Sequence, residues 1–188
     1  MIIDDFKLKL HQLEENNTRY EVYCFLRGIW ERQKDHVLAV IIIDEMTRYL
    51  IWIESTEPLE RPDEHILYES FYNEVMSYAY HHYLTEKLFL WLCIFYLSSV
   101  GTYYYILNTE LLAENGYDKG FAYLRSIADT YYPNSVMFKL IPFIQKERRS
   151  EWSSRLSKEE LIILDDELQK LELRNNAADV FIIDAFSD

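Results

Sequence analysis

The sequence predicts an all-α protein: an irregular helical bundle or a degenerate α-solenoid of about nine or ten helices, in a single domain spanning residues 1–188. Three observations predict it. Apolar residues recur three and four apart from Ile3 to Leu171, the spacing that lines one face of a helix. No stretch alternates apolar and polar residues between turn signals, as a half-buried strand would. The hydrophobic fraction of 49% supplies a core for a chain of 188 residues, so the chain is not disordered for most of its length.

Each element has its local reason. Ile3, Phe6, Leu10 and Leu13 share a face of a first helix. Asn16-Asn17-Thr18 breaks it and caps a second, from about Arg19 to Lys34, with Val22, Tyr23, Leu26, Ile29 and Trp30 inward. Gly28 lies within that helix, at about 1 kcal/mol against alanine, and a neighbour packed closely there is the expected reason. Asp35 caps a third helix running through Ile53. Pro58 and Pro62 mark a loop, and Asp63 caps a helix from about Glu64 to His82. A restart at Thr85-Glu86-Lys87 leads into the apolar run Leu88 to Leu97, closed by Gly101.

Punctuation is regular after that point. Thr102 caps a helix ending near Asn115, with Gly116 at its C′ position. Tyr117 opens the next helix, which stops before Pro133, and Asn134-Ser135 begin another that Pro142 kinks or splits. Ser157-Lys158-Glu159-Glu160 reads as a capping box ahead of Leu161, Leu164, Leu168 and Leu171. The tail, with Val180, Phe181, Ile182, Ile183 and Phe186, is too apolar to dangle and is expected to dock as a short helix.

Charge and composition narrow the partners. Asp and Glu number 32 against 19 Lys and Arg, a net charge of −13. Such a surface repels nucleic acid and anionic membranes, and favours a basic protein. Val37 to Ile53 is interrupted by Asp44, Glu45 and Arg48, and Leu88 to Leu97 is too short to meet the roughly 20 apolar residues of a membrane span. Cys24 and Cys93, far apart, make neither a metal motif nor a disulfide framework. With no signal-peptide core after Met1, the expected compartment is the cytoplasm.

No catalytic residue, metal or cofactor is expected. There is no GxSxG, and four scattered glycines make no phosphate loop. His81, His82 and Glu86, with Glu74 two turns before, are the nearest approach to a metal or enzyme site, because His82 and Glu86 are four apart. Adjacent histidines diverge on a helix, however, and the order is not HExxH. Asp44-Glu45 and Asp165-Asp166 diverge in the same way and read as solvated faces rather than acid/base pairs. Lys146, Arg148, Arg149 and Arg155 read as a helix C-terminus and its loop.

The segment Asn115-Gly116-Tyr117 through Tyr132-Pro133-Asn134-Ser135 resembles the second helix of a tetratricopeptide repeat, with Ala128 and Pro133 at that family's spacing and Gly120 in place of its usual alanine. The resemblance covers about 34 residues, without a second copy. It implies one helical hairpin presenting a binding surface, as in an adaptor that holds a peptide.

Tyrosine is the stronger lead. Of 16 tyrosines, thirteen lie between Tyr68 and Tyr132, and tyrosine is favoured on protein-binding surfaces. Tyr103, Glu110 and Glu114 line one side of their helix, opposite Tyr104, Leu107, Leu111 and Leu112. With the Asp44-Glu45 pair and Glu159 and Asp166 on the last long helix, this ridge completes the candidate partner-binding set. In overall character the chain resembles bacterial toxin-immunity proteins: small, acidic and without catalytic motifs. That resemblance implies neutralisation of a toxin domain, such as a basic nuclease, by direct binding.

Overall fold

A computed structural model describes residues 9–10, 12–13, 19–55, 63–98, 110–144, 147, 149–174, 182–183 and 185–186; for 51–55, 110–119 and 172–174 the description is of backbone alone. Among the described residues every regular element is a helix: α1 Arg19–Trp30, α2 His36–Ser55, α3 Glu64–Tyr83, α4 Lys87–Ser98, α5 Glu110–Tyr131, α6 Val136–Ile144, α7 Arg149–Ser153 and α8 Lys158–Arg174. The fold is all-α, as the periodicity predicts. The expected first helix is represented by residues 9–10 and 12–13, and the tail by 182–183 and 185, all helical. The contacts of the chain gather into two compact units, Met1–Leu84 and Thr85–Asp188.

In the first unit α2 is the central element. Every residue from Leu38 to Thr47 is buried, because a helix apolar on all sides must be covered on all sides. It packs against α3, and α1 packs against both. Val22, Leu26, Ile29 and Trp30 put one face of α1 into this core, and Tyr68, Phe71, Tyr72, Val75, Met76 and Ala79 do the same for α3. Aromatic edges fill the seam: Tyr23 lies 5.5 Å edge-on from Phe71, and Trp30 5.4 Å edge-on from Tyr78. Arg27 binds Glu74 at 2.7 Å across the same seam.

The caps divide. Asp35 accepts the Leu38 amide at 2.9 Å, as expected of an N-cap. Asp63 also stands at a helix start, but its side chain makes no capping bond. Its backbone is already helical at φ −92°, ψ −3°, whereas a capping side chain needs the extended region. Close packing at Gly28 is not found either, since a β-carbon built there meets no heavy atom within 4 Å.

In the second unit α4 plays the part of α2. Leu88 to Ile94, Tyr96 and Leu97 are buried. Helices α5 and α6 pack on α4, and α7 and α8 pack on α6. The tail docks as expected: Ile182 and Phe186 are buried, and the Phe186 ring sits 5.9 Å from Trp91 and 6.0 Å from Trp152.

Two expectations are corrected here. The chain does not turn at Asn115-Gly116-Tyr117; α5 runs through them for 22 residues. Glycine weakens a helix interior by about 1 kcal/mol, and a long helix held by packing on α4 outweighs that. Of the kink or split expected at Pro142, the split is what fails, since α6 continues to Ile144. Proline removes the amide that would have bonded the carbonyl four residues back. That carbonyl, on Phe138, accepts instead from the guanidinium of Arg125 on α5.

Two outcomes test these readings. Gly28→Ala should stabilise the protein by about 0.5–1 kcal/mol, read from the denaturant midpoint, because it raises helix propensity without a clash. Arg125→Met should cost about 1–3 kcal/mol with Pro142 in place and clearly less with Pro142→Ala, which restores an amide for the Phe138 carbonyl. A double-mutant cycle with no coupling would disprove the substitution of one donor for the other.

Candidate functional site

The sequence-predicted surface residues part company in the structure. Asp44 and Glu45 are 4% and 5% exposed, so they form no solvated face, contrary to expectation. They lie on the buried stretch of α2, and Arg48, one turn on, reaches back to both: its Nε is 2.9 Å from Asp44 Oδ2 and its Nη2 3.2 Å from Glu45 Oε1. A buried carboxylate requires such compensation. Tyr103 lies outside the described residues; Glu110 and Glu114 belong to the first turns of α5, where only backbone is described. The Tyr103 ridge is therefore not placed.

Glu159 and Asp166 are exposed on α8. This helix starts as predicted: the Glu160 amide donates to Ser157 Oγ at 3.2 Å, and the Ser157 amide donates to Glu160 Oε2 at 2.8 Å. The Lys139 ammonium, bonded to Glu160, holds its carboxyl below the usual carboxylate range, and the Ser157 amide adds to the effect. Leu164, Leu168 and Leu171 turn inward. At 100° per residue, Glu159, Ile162, Ile163 and Asp166 fall on the opposite side. Ile162 is 69% exposed and Ile163 37%, so a large apolar side chain flanks the Glu159–Asp166 ridge on each side. The sequence held a signal for them. Leu161-Ile162-Ile163-Leu164 is four apolar residues in a row, more than one helix face can bury.

A groove of about 670 Å³ runs beside this face, between α8 and the 132–135 turn. Tyr132, Pro133, Ile163 and Leu171 give it apolar walls; Lys87, Glu167 and Lys170 contribute charge. The charges are internally paired, Lys87 with Glu167 at 2.7 Å and Lys170 with Asp166 at 2.6 Å. Glu167 also accepts the amides of Val136 at 3.0 Å and Met137 at 3.1 Å. It thus caps α6 from a different helix. An anion at a helix N-terminus is favoured by the free amides and the dipole together. Tyr132 is fixed by its hydroxyl, which donates to the Thr85 carbonyl at 2.6 Å, and burial raises its pKa.

The histidines form no centre. Helix α3 ends at Tyr83 and α4 starts at Lys87, so the four-residue helical spacing from His82 to Glu86 is broken. His82 stacks on Tyr78 at 4.0 Å with its Nδ1 2.8 Å from the Tyr78 carbonyl; since a carbonyl only accepts, Nδ1 carries the proton. Glu74 is engaged with Arg27. Among the described residues no group of three or more His, Cys, Asp or Glu could hold a metal ion. Within the basic cluster, Arg149 opens α7 rather than closing a helix, and Arg155 grips Glu147 with two bonds of 3.0 and 2.7 Å.

Cys24 is exposed and Cys93 buried, both free thiols, and burial pushes the Cys93 thiol up. Among the described residues no helix is long and apolar enough to cross a membrane. Comparison with protein-family models, with curated proteins and with solved structures found no match to this chain.

The Glu167 bonds make a graded prediction. Glu167→Ala orphans two amides and Lys87, and should cost about 2–4 kcal/mol in chemical unfolding. Glu167→Gln keeps a neutral acceptor for the amides and should cost less. Equal losses would show that the charge on Glu167, not its bonding to α6, carries the effect.

Proposed function

We propose that this protein acts by binding a basic protein, as an immunity-type antidote that occupies a bacterial toxin domain, a nuclease being the chemistry that best complements it. One observation carries the reading: Ile162 and Ile163 stand exposed on the two flanks of the Glu159–Asp166 ridge on α8. Apolar side chains in such a setting supply slow dissociation, and carboxylates around them supply fast, oriented association. The net charge of −13 extends the attraction beyond contact range. A nuclease must present a basic surface to phosphate, so an acidic protein with an apolar anchor competes for that surface. Action in the cytoplasm is part of the proposal and agrees with two free thiols.

The test uses a candidate toxin, a basic nuclease domain, with association kinetics measured at two salt concentrations. Glu159→Lys with Asp166→Lys should slow association by about tenfold at low salt and leave the melting temperature nearly unchanged. Ile162→Asp should act mainly on dissociation and weaken the complex by about 1–3 kcal/mol. Rates indifferent to salt and to all three substitutions would remove α8 as the binding face.

A further inference from the structure

We infer that the groove between α8 and the 132–135 turn is an anchor pocket, which takes an apolar side chain from an otherwise basic segment of the partner; this rests on the binding function proposed above. The groove adjoins the exposed face because they share Ile163, which belongs to both. Its volume of about 670 Å³ falls within the roughly 300–1,000 Å³ of ligand pockets. It therefore has room for a large side chain and part of a backbone.

The chemistry of the walls selects the occupant. Tyr132, Pro133, Ile163 and Leu171 offer apolar surface to an uncharged side chain. Tyr132 is a rigid wall, with its hydroxyl held by Thr85 and its ring stacked 5.5 Å from Phe138. Each lysine of the groove has a carboxylate beside it, Glu167 at Lys87 and Asp166 at Lys170, so the groove carries no net positive charge to favour an acidic anchor. Outside the groove, Glu159 is exposed one turn before Ile163 on the same side of α8, placed to meet a Lys or Arg beside the anchor. The complementary segment is one apolar residue, leucine- or phenylalanine-sized, flanked by basic residues.

The experiment pans a phage-displayed library of random peptides against the whole protein and measures the enriched peptides on three variants. Ile163→Asp charges the groove wall, Asn134→Trp fills the groove from its exposed rim, and Glu159→Lys alters the acidic face alone. The expected result is an apolar residue among Lys and Arg, with binding weakened about tenfold or more by each groove variant and made more salt-sensitive by the flanking charges. Circular dichroism confirms that each variant folds, as substitution at exposed positions allows. Peptides weakened by Glu159→Lys but untouched by both groove variants would overturn the pocket and leave the α8 face standing. An acidic consensus, or no enrichment, would overturn the pocket. Indifference of basic peptides to all three variants would overturn the pocket and the α8 face together.

Discussion

A helical stretch with apolar residues on every side has to be wrapped on every side, and among the described residues α2 and α4 each contain one. Leu38 to Thr47 in α2 and Leu88 to Ile94 in α4 have no solvated face. Each buried leucine- or isoleucine-sized side chain stabilises the fold by about 1.5–3 kcal/mol relative to exposure. The surrounding helices are arranged to satisfy that demand, one set within each unit. The same demand makes Asp44 and Glu45 internal residues: they occur on a helix that the core has already claimed, and Arg48 compensates them from the following turn.

Polar chemistry in the second unit follows from wrapping α4. Packing α6 onto α4 brings its first amides under cover, and a covered amide without an acceptor costs about 1–3 kcal/mol. Glu167 supplies the acceptor from α8 and holds Lys87 with its other oxygen. One side chain thereby links the starts of α4 and α6 to the middle of α8. Arg125 does comparable work one residue past the capped amides, where Pro142 leaves the Phe138 carbonyl without its helical donor. Side-chain bonds from other helices stand in for local ones at two neighbouring points of the same short helix.

These restraints also shape the proposed binding surface. With Leu164, Leu168 and Leu171 fixed inward, α8 cannot turn Ile162 and Ile163 away from water. Glu167 fixes the distance between α8 and the 132–135 turn, and so the width of the groove. On this face the carboxylates form a ridge with an apolar side chain on each flank, the arrangement on which the proposed recognition of a basic protein rests. The rigid support behind it means that little ordering cost falls on this side of a complex.

The sequence by itself determined what is local. The three- and four-residue spacing specified the helices, Asp35 and the Ser157–Glu160 box specified two of their starts, and the uniform apolar run from Leu88 specified a buried element. Glu159 and Asp166 were legible as exposed because α8 is amphipathic. Only the tertiary structure decided matters that depend on distant partners. Adjacent carboxylates at 44–45 and at 165–166 look alike in sequence, and it is the covering of α2 that separates them. Gly116 looks like a helix end, and it is packing along α5 that overrides it. Glu167 looks like one more surface acid, because the amides it caps lie about thirty residues away in the chain. Local patterns report backbone preference and the burial of one face; they carry no record of which polar group a fold will bring to an orphaned amide.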